Sequence, residues 1–489
     1  MPKGDIVRVS PDKLSFRTSG AIHDIYTDRQ ANMVKTGWTE ASIRSNPFVN
    51  THIMPDRHLH AARRRLLSNA FSEGAMKNLE NYVVDRIRDW CNYIAEAPEQ
   101  NQTKIDGEKD ELSGWSKARD MGIWSTLLTV DVLGELCFGS SFDAMKNGHT
   151  FVMDLLLSSS KLNNIIAFLP IRNLIFPLIR TPAILFVTSN ETLKHRFEYR
   201  EKITGLVEKR FALEKSNNAE KAAGEQRRDF FHYLLHAKDP QTGAQFQSKD
   251  LVGEGSLLVG AGSDTSSTAM SACFFYLMRW PRAFKKLQDE VRSAFQHVEE
   301  IRHGPKLAGL LYLRACIDEA MRLSPPVPGL LDRKILPGGA VVDDHSLPEG
   351  VVVGVPIYAI HHSEKYFPRP FEFSPERWIA GVGIGVNTGP GSSPVTPEAV
   401  ELAKAAFHPF SSGPRGCIGK NMAYMELLIA VGRAAWLFDI RLKHGDRTGE
   451  GRPGGEPGRE RVGEYQLRDW LISGREGPVL EFRRREVET

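Results

Sequence analysis

Residues 410–419, FSSGPRGCIG, run straight into KNMAYMELLIAVGRAAWLFDI. Ile418, Met422, Met425, Leu428, Ile429, Gly432 and Trp436 recur at helical spacing, which predicts a long buried helix starting at or just after Cys417. A glycine-rich turn ending on a helix N-terminus offers unpaired N–H groups and the positive end of the helix dipole. Both favour thiolate over thiol, and thiolate is the form that binds metal. Gly413, Gly416 and Gly419 remove side chains around the sulfur and let a large flat group approach the backbone. Phe410 is placed to pack against the loop, and Arg415 to meet an acidic group on such a ligand. A lone cysteine in such a turn is more often a small buried residue than a ligand, so the rest of the chain has to decide.

That chain reads mainly as helix. Apolar residues recur at helical spacing over 57–99, 120–138, 190–212, 250–280 and 281–298. Strand-like stretches are short and few: Ile6 to Val9, Gly339 to Asp343, Val351 to Val355 and Val479 to Phe482. The expected class is mainly α with small β-sheets (α+β), not alternating βαβ units. The segments 381–397 and 445–463, rich in glycine, proline and charge, read as surface loops. With 63 basic against 60 acidic residues, no charge field argues for a nucleic-acid partner. The five cysteines, Cys91, Cys137, Cys273, Cys316 and Cys417, are scattered without a C-x-x-C pair and match neither a disulfide framework nor a structural zinc site. No run of eighteen apolar residues occurs; the most apolar region, 151–187, is broken by prolines and arginines and reads as buried helix or as a segment lying on a membrane.

Four further clusters carry polar groups where the pattern is otherwise apolar or helical. AGSDTS at 261–266 interrupts an apolar helix; its plainest reading is a kink, with Thr265 bonding back to the carbonyl of Ala261 and Asp264 reaching a neighbouring helix. EAMR at 319–322 puts Glu319 and Arg322 on one helical face, and FSPERW at 373–378 adds Arg377. In HAARRRLLSNAF, His60 and Arg64 stand one turn apart, while Arg63 and Arg65 read as a solvated basic face. Arg333 follows LSPPVPGLLD.

Together, the Cys417 loop, Ala261 to Thr265, Glu319 with Arg322, and Arg377, found in order, closely resemble the haem-thiolate signature of the cytochrome P450 family. The resemblance extends from about residue 5 to residue 483 and implies one catalytic domain over 1–489, with a long central helix over a haem. It implies haem b (iron protoporphyrin IX), with Cys417 as the iron ligand and Phe410, Gly413, Arg415 and Gly419 around it. By the same resemblance, His60, Arg64 and Arg333 meet the propionates, and Ala261 and Gly262 border the distal face, where Gly262 opens a groove for dioxygen. Thr265 and Asp264 serve oxygen activation and proton delivery, and Glu319, Arg322 and Arg377 form a structural network. Burying those three charges requires full hydrogen bonding of each.

The implied activity is oxygen-dependent oxidation of a lipophilic small molecule. Neither Gly260-Ala-Gly262 nor Gly381-Val-Gly383 completes a dinucleotide fingerprint, so electrons are expected from a separate NADPH-cytochrome P450 reductase, with cytochrome b5 as a further donor. Phenol coupling, isomerisation or dehydration on the same haem is the alternative, and a haem-binding protein without turnover a second one. The wording of 229–243 and 351–378 resembles filamentous-fungal members that decorate secondary metabolites. The opening GDIVRVSPDKLSF resembles the family's first strand, so the anchor and first helix usual in eukaryotic members are expected to be missing. The full-length protein is expected on the cytosolic face of the endoplasmic reticulum, with 165–180 dipping into the membrane.

Overall fold

The computed structural model describes residues 4–45, 48–98, 114–150, 190–219, 227–383 and 394–486, with isolated positions between 152 and 169. Most of the membrane-contacting segment expected at 165–180 and most of the loop expected at 381–397 lie outside the described residues.

The helices that carry the site and its supports are α1 (Arg57–Ser68), α2 (Glu73–Ile94), α3 (Met121–Phe138), α4 (Asn190–Ala219), α5 (Phe230–His236), α6 (Ser248–Arg279), α7 (Pro281–Ala294), α8 (Leu311–Leu323) and α9 (Lys420–Leu437). The single periodic run read at 57–99 is two helices. Ser72 breaks it by capping α2, its hydroxyl accepting from the Ala75 N–H at 3.3 Å, after a tight turn over Asn69–Phe71. Asp56, Asp120 and Asp229 cap α1, α3 and α5 in the same way.

The centre of the molecule is α6, which packs on α3, α4, α8 and α9. Its C-terminal half is buried on all sides, and three of its inward hydroxyls bond back to the helix: Ser267 donates to the Ser263 carbonyl (2.6 Å), Thr268 to the Asp264 carbonyl (2.7 Å) and Ser271 to the Ser267 carbonyl (2.7 Å). Among the described residues, α3 alone is long and apolar enough to cross a membrane, and 83% of that stretch is buried in the helical core.

The strands in chain order are β1 (Ile6–Ser10), β2 (Lys13–Phe16), β3 (Met33–Lys35), β4 (Arg119–Asp120), β5 (Arg333–Ile335), β6 (Ala340–Val342), β7 (His345–Leu347), β8 (Val352–Gly354), β9 (Phe438–Leu442), β10 (Arg468–Trp470), β11 (Ile472–Gly474) and β12 (Val479–Arg484). The largest sheet runs β1-β2-β8-β5-β3, with only β2 and β8 parallel. A three-stranded sheet runs β4-β12-β9; β6-β7 and β10-β11 are hairpins. A second, smaller apolar cluster, including Phe16, Tyr26, Val353 and Phe367, sits under the five-stranded sheet, apart from the helical core. The fold is therefore mainly helical with small sheets, as expected. The 445–463 segment is mostly turns, yet Glu450 within it ion-pairs with Arg279 of α6 at 2.5 Å.

Candidate functional site

The Cys417 loop is closed by its own backbone: the Cys417 N–H donates to the Phe410 carbonyl and the Gly416 N–H to Gly413, each at 2.9 Å. Helix α9 starts at Lys420, three residues beyond the cysteine. Cys91, Cys137, Cys273 and Cys316 are buried and unlinked, whereas Cys417 has accessible surface although protein surrounds it on most sides. The expectation that the helix end alone yields thiolate is corrected. Burial raises the Cys417 pKa, outweighing the Gly419 N–H, Arg64 and Lys420, which lower it. Ionisation falls to a bound metal, which deprotonates a coordinating thiol outright.

The loop glycines have different reasons to be glycine. Gly413 is left-handed (φ +66°), and a Cβ there would lie 2.0 Å from the Tyr26 carbonyl oxygen. It is required by close backbone packing, not by open space. Gly419 has an ordinary φ of −82°, and a Cβ there would meet nothing nearer than Cys417 Sγ and Phe71 Cε1, each at 3.9 Å. This is the glycine that leaves room beside the sulfur. Phe410 packs against Tyr424 of α9, ring centroids 5.1 Å apart.

Around the loop the structure gathers Lys35, His52, His60, Arg64, Arg333 and Arg415 within electrostatic reach of one another. Burial, with Arg415, Lys35, Arg64 and Arg333, holds His60 down to about 3. Burial and then Arg333 bring Arg415 to about 10, and burial with the neighbouring guanidiniums holds Lys35 well below its usual range. The hydrogen bonds these cations make within the cluster go to carbonyls. Arg64 Nη1 donates to Gly416 O (2.7 Å), Arg415 Nη2 to Pro55 O (2.8 Å), Arg333 Nη1 to Asp332 O (3.0 Å) and Lys35 Nζ to His52 O (2.9 Å). The nearby Asp332 already takes Lys13 at 2.7 Å. Asp332 beside Arg333 and Asp56 near Arg415 offset part of this charge, and the basic side chains of Arg64, Arg333 and Arg415 gathered beside the loop fit a multiply anionic ligand. Arg63 and Arg65 are not a solvated basic face. Arg63 pairs with Asp250 (3.0 Å) and buried Glu254 (2.8 Å), and Arg65 with buried Asp239 (2.7 Å).

On α6, Thr265 Oγ1 donates to the Ala261 carbonyl at 2.7 Å. Asp264 does not reach a neighbouring helix: its Oδ1 accepts from Arg475 Nη1 at 2.8 Å, from the segment between β11 and β12. Arg475 also donates to Thr268 Oγ1 (2.6 Å), Thr126 Oγ1 (2.8 Å) and Ser267 Oγ (2.5 Å). Gly262 lies against α3, where a Cβ would stand 2.6 Å from Leu133 Cδ1, so any larger residue there would have to displace that side chain.

Glu319 and Arg322 of α8 are fully buried and Arg377 nearly so. Arg322 grips Glu319 with two bonds of 2.9 Å, Arg377 Nε donates to Glu319 Oε1 at 2.9 Å, and the Ser374 N–H and Trp378 Nε1 complete the carboxylate at 3.0 Å each. Arg322 spends its remaining donors on the carbonyls of His361, Pro370 and Glu372. Burial raises the Glu319 pKa, but the two guanidiniums outweigh it and bring it to about 2.

A cysteine at the mouth of a long helix, a cluster of cations beside it and a hydroxyl-bearing central helix define the donor set of a haem-thiolate protein. Comparisons agree. A family model of cytochrome P450 matches residues 21–449. A cytochrome P450 monooxygenase of Gibberella zeae is 35% identical over 95% of this chain and 97% of its own length. The cytochrome P450 monooxygenase apf7 of Gibberella fujikuroi is 33% identical over 99% of this chain and 86% of its own length, and a trichothecene C-15 hydroxylase of Fusarium sporotrichioides 30% over 92% and 82%. The crystal structure of the cytochrome P450DA heme domain superposes with a TM-score of 0.70 at 15% identity, covering 98% of this chain and 88% of that one. The chain belongs to the cytochrome P450 family, and its relatives are fungal monooxygenases. It is an oxidoreductase whose family and fold imply a haem-iron cofactor.

Proposed function

We propose that the chain is one catalytic domain over 1–489 that uses haem b to monooxygenate a lipophilic small molecule, an intermediate of fungal secondary metabolism. Haem iron, when bound, supplies reductive activation of dioxygen. Cys417 would hold its iron, within the loop of Phe410, Gly413, Arg415 and Gly419; His60, Arg64, Arg333 and Arg415 would receive the propionates, joined by Lys35 and His52. Ala261 and Gly262 border the opposite face, and the Thr265 hydroxyl and Asp264 carboxylate hold and move protons there. Glu319, Arg322 and Arg377 fix the segment beneath the loop. Electrons come from NADPH-cytochrome P450 reductase, with cytochrome b5 as a further donor, which puts the protein at the cytosolic face of the endoplasmic reticulum in peripheral membrane contact.

The observation that carries this reading is Cys417 on a backbone-closed loop before α9, beside Arg64, Arg333 and Arg415, whose hydrogen bonds in the cluster go to carbonyls. The test is the carbon monoxide difference spectrum of the reduced protein, wild type against Cys417→His, followed by turnover with reductase, NADPH and oxygen. A long-wavelength Soret band lost in the variant, with oxygen-dependent product in the wild type, is expected. Haem-loaded wild type without that band removes Cys417 as the ligand. The band without NADPH-dependent product from a broad panel of lipophilic compounds would favour a binding role.

A further inference from the structure

Among the described residues, one set of metal-ligating atoms converges away from that site. His232 and His236 stand one turn apart on α5, so their rings share a face, with centroids 4.8 Å apart. His232 Nδ1 lies 3.1 Å and His236 Nε2 3.0 Å from the same oxygen, Oε1 of Glu214 near the end of α4, and the three ligand atoms fall within 4.8 Å of one another. Two imidazoles and a carboxylate suit zinc, with metal–ligand distances of about 2.0–2.2 Å. Tetrahedral ligands at that radius stand about 3.3 Å apart, so the two nitrogen–oxygen separations need shifts of only a few tenths of an ångström, and the two nitrogens, within 4.8 Å of each other, close by at most about 1.5 Å through rotation of the exposed His236 ring.

The groups behind the ligands are arranged to aim them. Glu214 Oε2 accepts from Arg210 Nη1 at 2.6 Å, which turns Oε1 toward the histidines. Arg210 is clamped by Asp229 through Nε (2.9 Å) and Nη2 (3.1 Å), and Asp229 also accepts the His232 N–H at 2.9 Å, fixing the start of α5. A hydrogen-bonded outer shell of this kind is what orients ligands in metal sites. Arg210 and Arg227 face Asp229 and Glu214, so with neutral imidazoles no net positive charge repels a dication. The His236 side chain is 50% exposed, which gives a cation a way in and leaves a coordination position for water.

We propose that Glu214, His232 and His236 form a divalent-cation site, with zinc the best-suited ion, that clips the end of α4 to α5. Binding needs no redox change. The cation replaces the two N–H···Oε1 hydrogen bonds: each imidazole shifts its proton through solvent to the other ring nitrogen, and the named nitrogen gives its freed lone pair to the cation.

The test uses untagged, haem-loaded protein stripped with chelator and titrated calorimetrically with zinc chloride, alongside His236→Ala and His232→Ala. One saturable equivalent is expected, weakened at least about tenfold in each variant, with a zinc-induced rise in Tm that the variants lack. X-ray absorption at the zinc edge of the wild type should show two imidazoles and light-atom ligands without sulfur. That spectrum decides the matter even where a variant fails to load haem. Absence of saturable binding, unchanged affinity in His236→Ala, or a zinc bound by sulfur would each overturn the proposal.

Discussion

Arg475 Nη1 donates to Asp264 Oδ1 at 2.8 Å, joining two residues 211 positions apart, and both side chains are largely buried. The guanidinium is also held by three hydroxyls, from Thr126, Ser267 and Thr268, so α3, α6 and the segment before β12 meet at one cation. Removing Arg475 leaves a buried carboxylate without its charge partner, which costs about 3–5 kcal/mol. Arg475→Ala should therefore lower Tm sharply. Asp264→Asn, whose carbonyl still accepts from Arg475, should lower it much less, while slowing turnover if Asp264 moves protons. Equal Tm for wild type and Arg475→Ala would show that the pair carries no structural weight.

The two glycines nearest the cysteine separate folding from cofactor fit. Gly413→Ala puts a methyl 2.0 Å from the Tyr26 carbonyl at φ +66°, two penalties that the backbone on both sides cannot relax. Soluble, haem-loaded protein should be lost. Gly419→Ala meets only ordinary contacts at φ −82°. That variant should express normally and show a shifted Soret maximum, because the added methyl stands beside the sulfur. Normal haem loading in Gly413→Ala would refute the packing argument.

The cation cluster gives a prediction with opposite signs in two states. Lys35 is buried and crowded by Arg333, Arg415 and Arg64, which together disfavour its ammonium, and its hydrogen bond in the cluster goes to the His52 carbonyl. Lys35→Met relieves that repulsion, so cofactor-free protein should unfold at an equal or higher temperature than wild type. Haem release to an acceptor protein should be faster in the same variant, because a partner for the propionates is gone. A lower Tm together with unchanged haem release would assign Lys35 a purely structural role.

How much of this was legible in the sequence depended on the range of the interaction. Helices whose apolar period is set by neighbours three and four residues away, such as α3, α6 and α9, lie where the pattern put them. The break between α1 and α2 was carried by one serine hydroxyl, which periodicity does not register. Strand β3 escaped notice because it is three residues long and pairs with β5, some 300 residues away; β5, which also pairs with β8, is equally short. The cysteine loop, Glu319, Arg322 and Arg377 were readable because their spacing is fixed by motif. Lys35, His52 and Arg475 were not, since nothing in MVKTG, NTHIM or SGREG distinguishes a buried cation from a solvated one. Arg63 and Arg65 failed for the converse reason: their carboxylate partners stand on α6 and in the segment before it, more than 170 residues on.

Acid should find the Glu319 network. Its carboxyl has a pKa of about 2 when folded and about 4.3 when unfolded, so the chain releases that proton more readily when folded. The stabilisation is present in full above about pH 4.3 and is lost as pH falls toward 2. Glu214, also held near 2 by Arg210 and the two histidines against the cost of burial, loses its share in the same window. Wild-type Tm should thus drop steeply between pH 4.5 and 3. Glu319→Gln should start far lower, with poor haem retention, and fall less steeply. An equal slope would mean that other carboxylates govern acid unfolding.

Glu426 of α9 predicts the reverse dependence. It is buried against α6, where Ser266 reaches one carboxyl oxygen, and no described residue donates to its Oε1. Burial raises its pKa to about 7, above the unfolded value of about 4.3, so folding favours the protonated acid. Stability tied to this proton is present below pH 4.3 and is lost as pH rises toward 7, beyond which the folded chain carries a buried charge without a cationic partner. Glu426→Gln keeps the shape and a donor for the interior while removing the titration. The variant should match wild-type Tm at pH 5 and exceed it at pH 8, with the carbon monoxide band intact at both. A variant that is less stable than wild type at pH 8 would show instead that the charged carboxylate has a partner on α6 worth more than its burial costs.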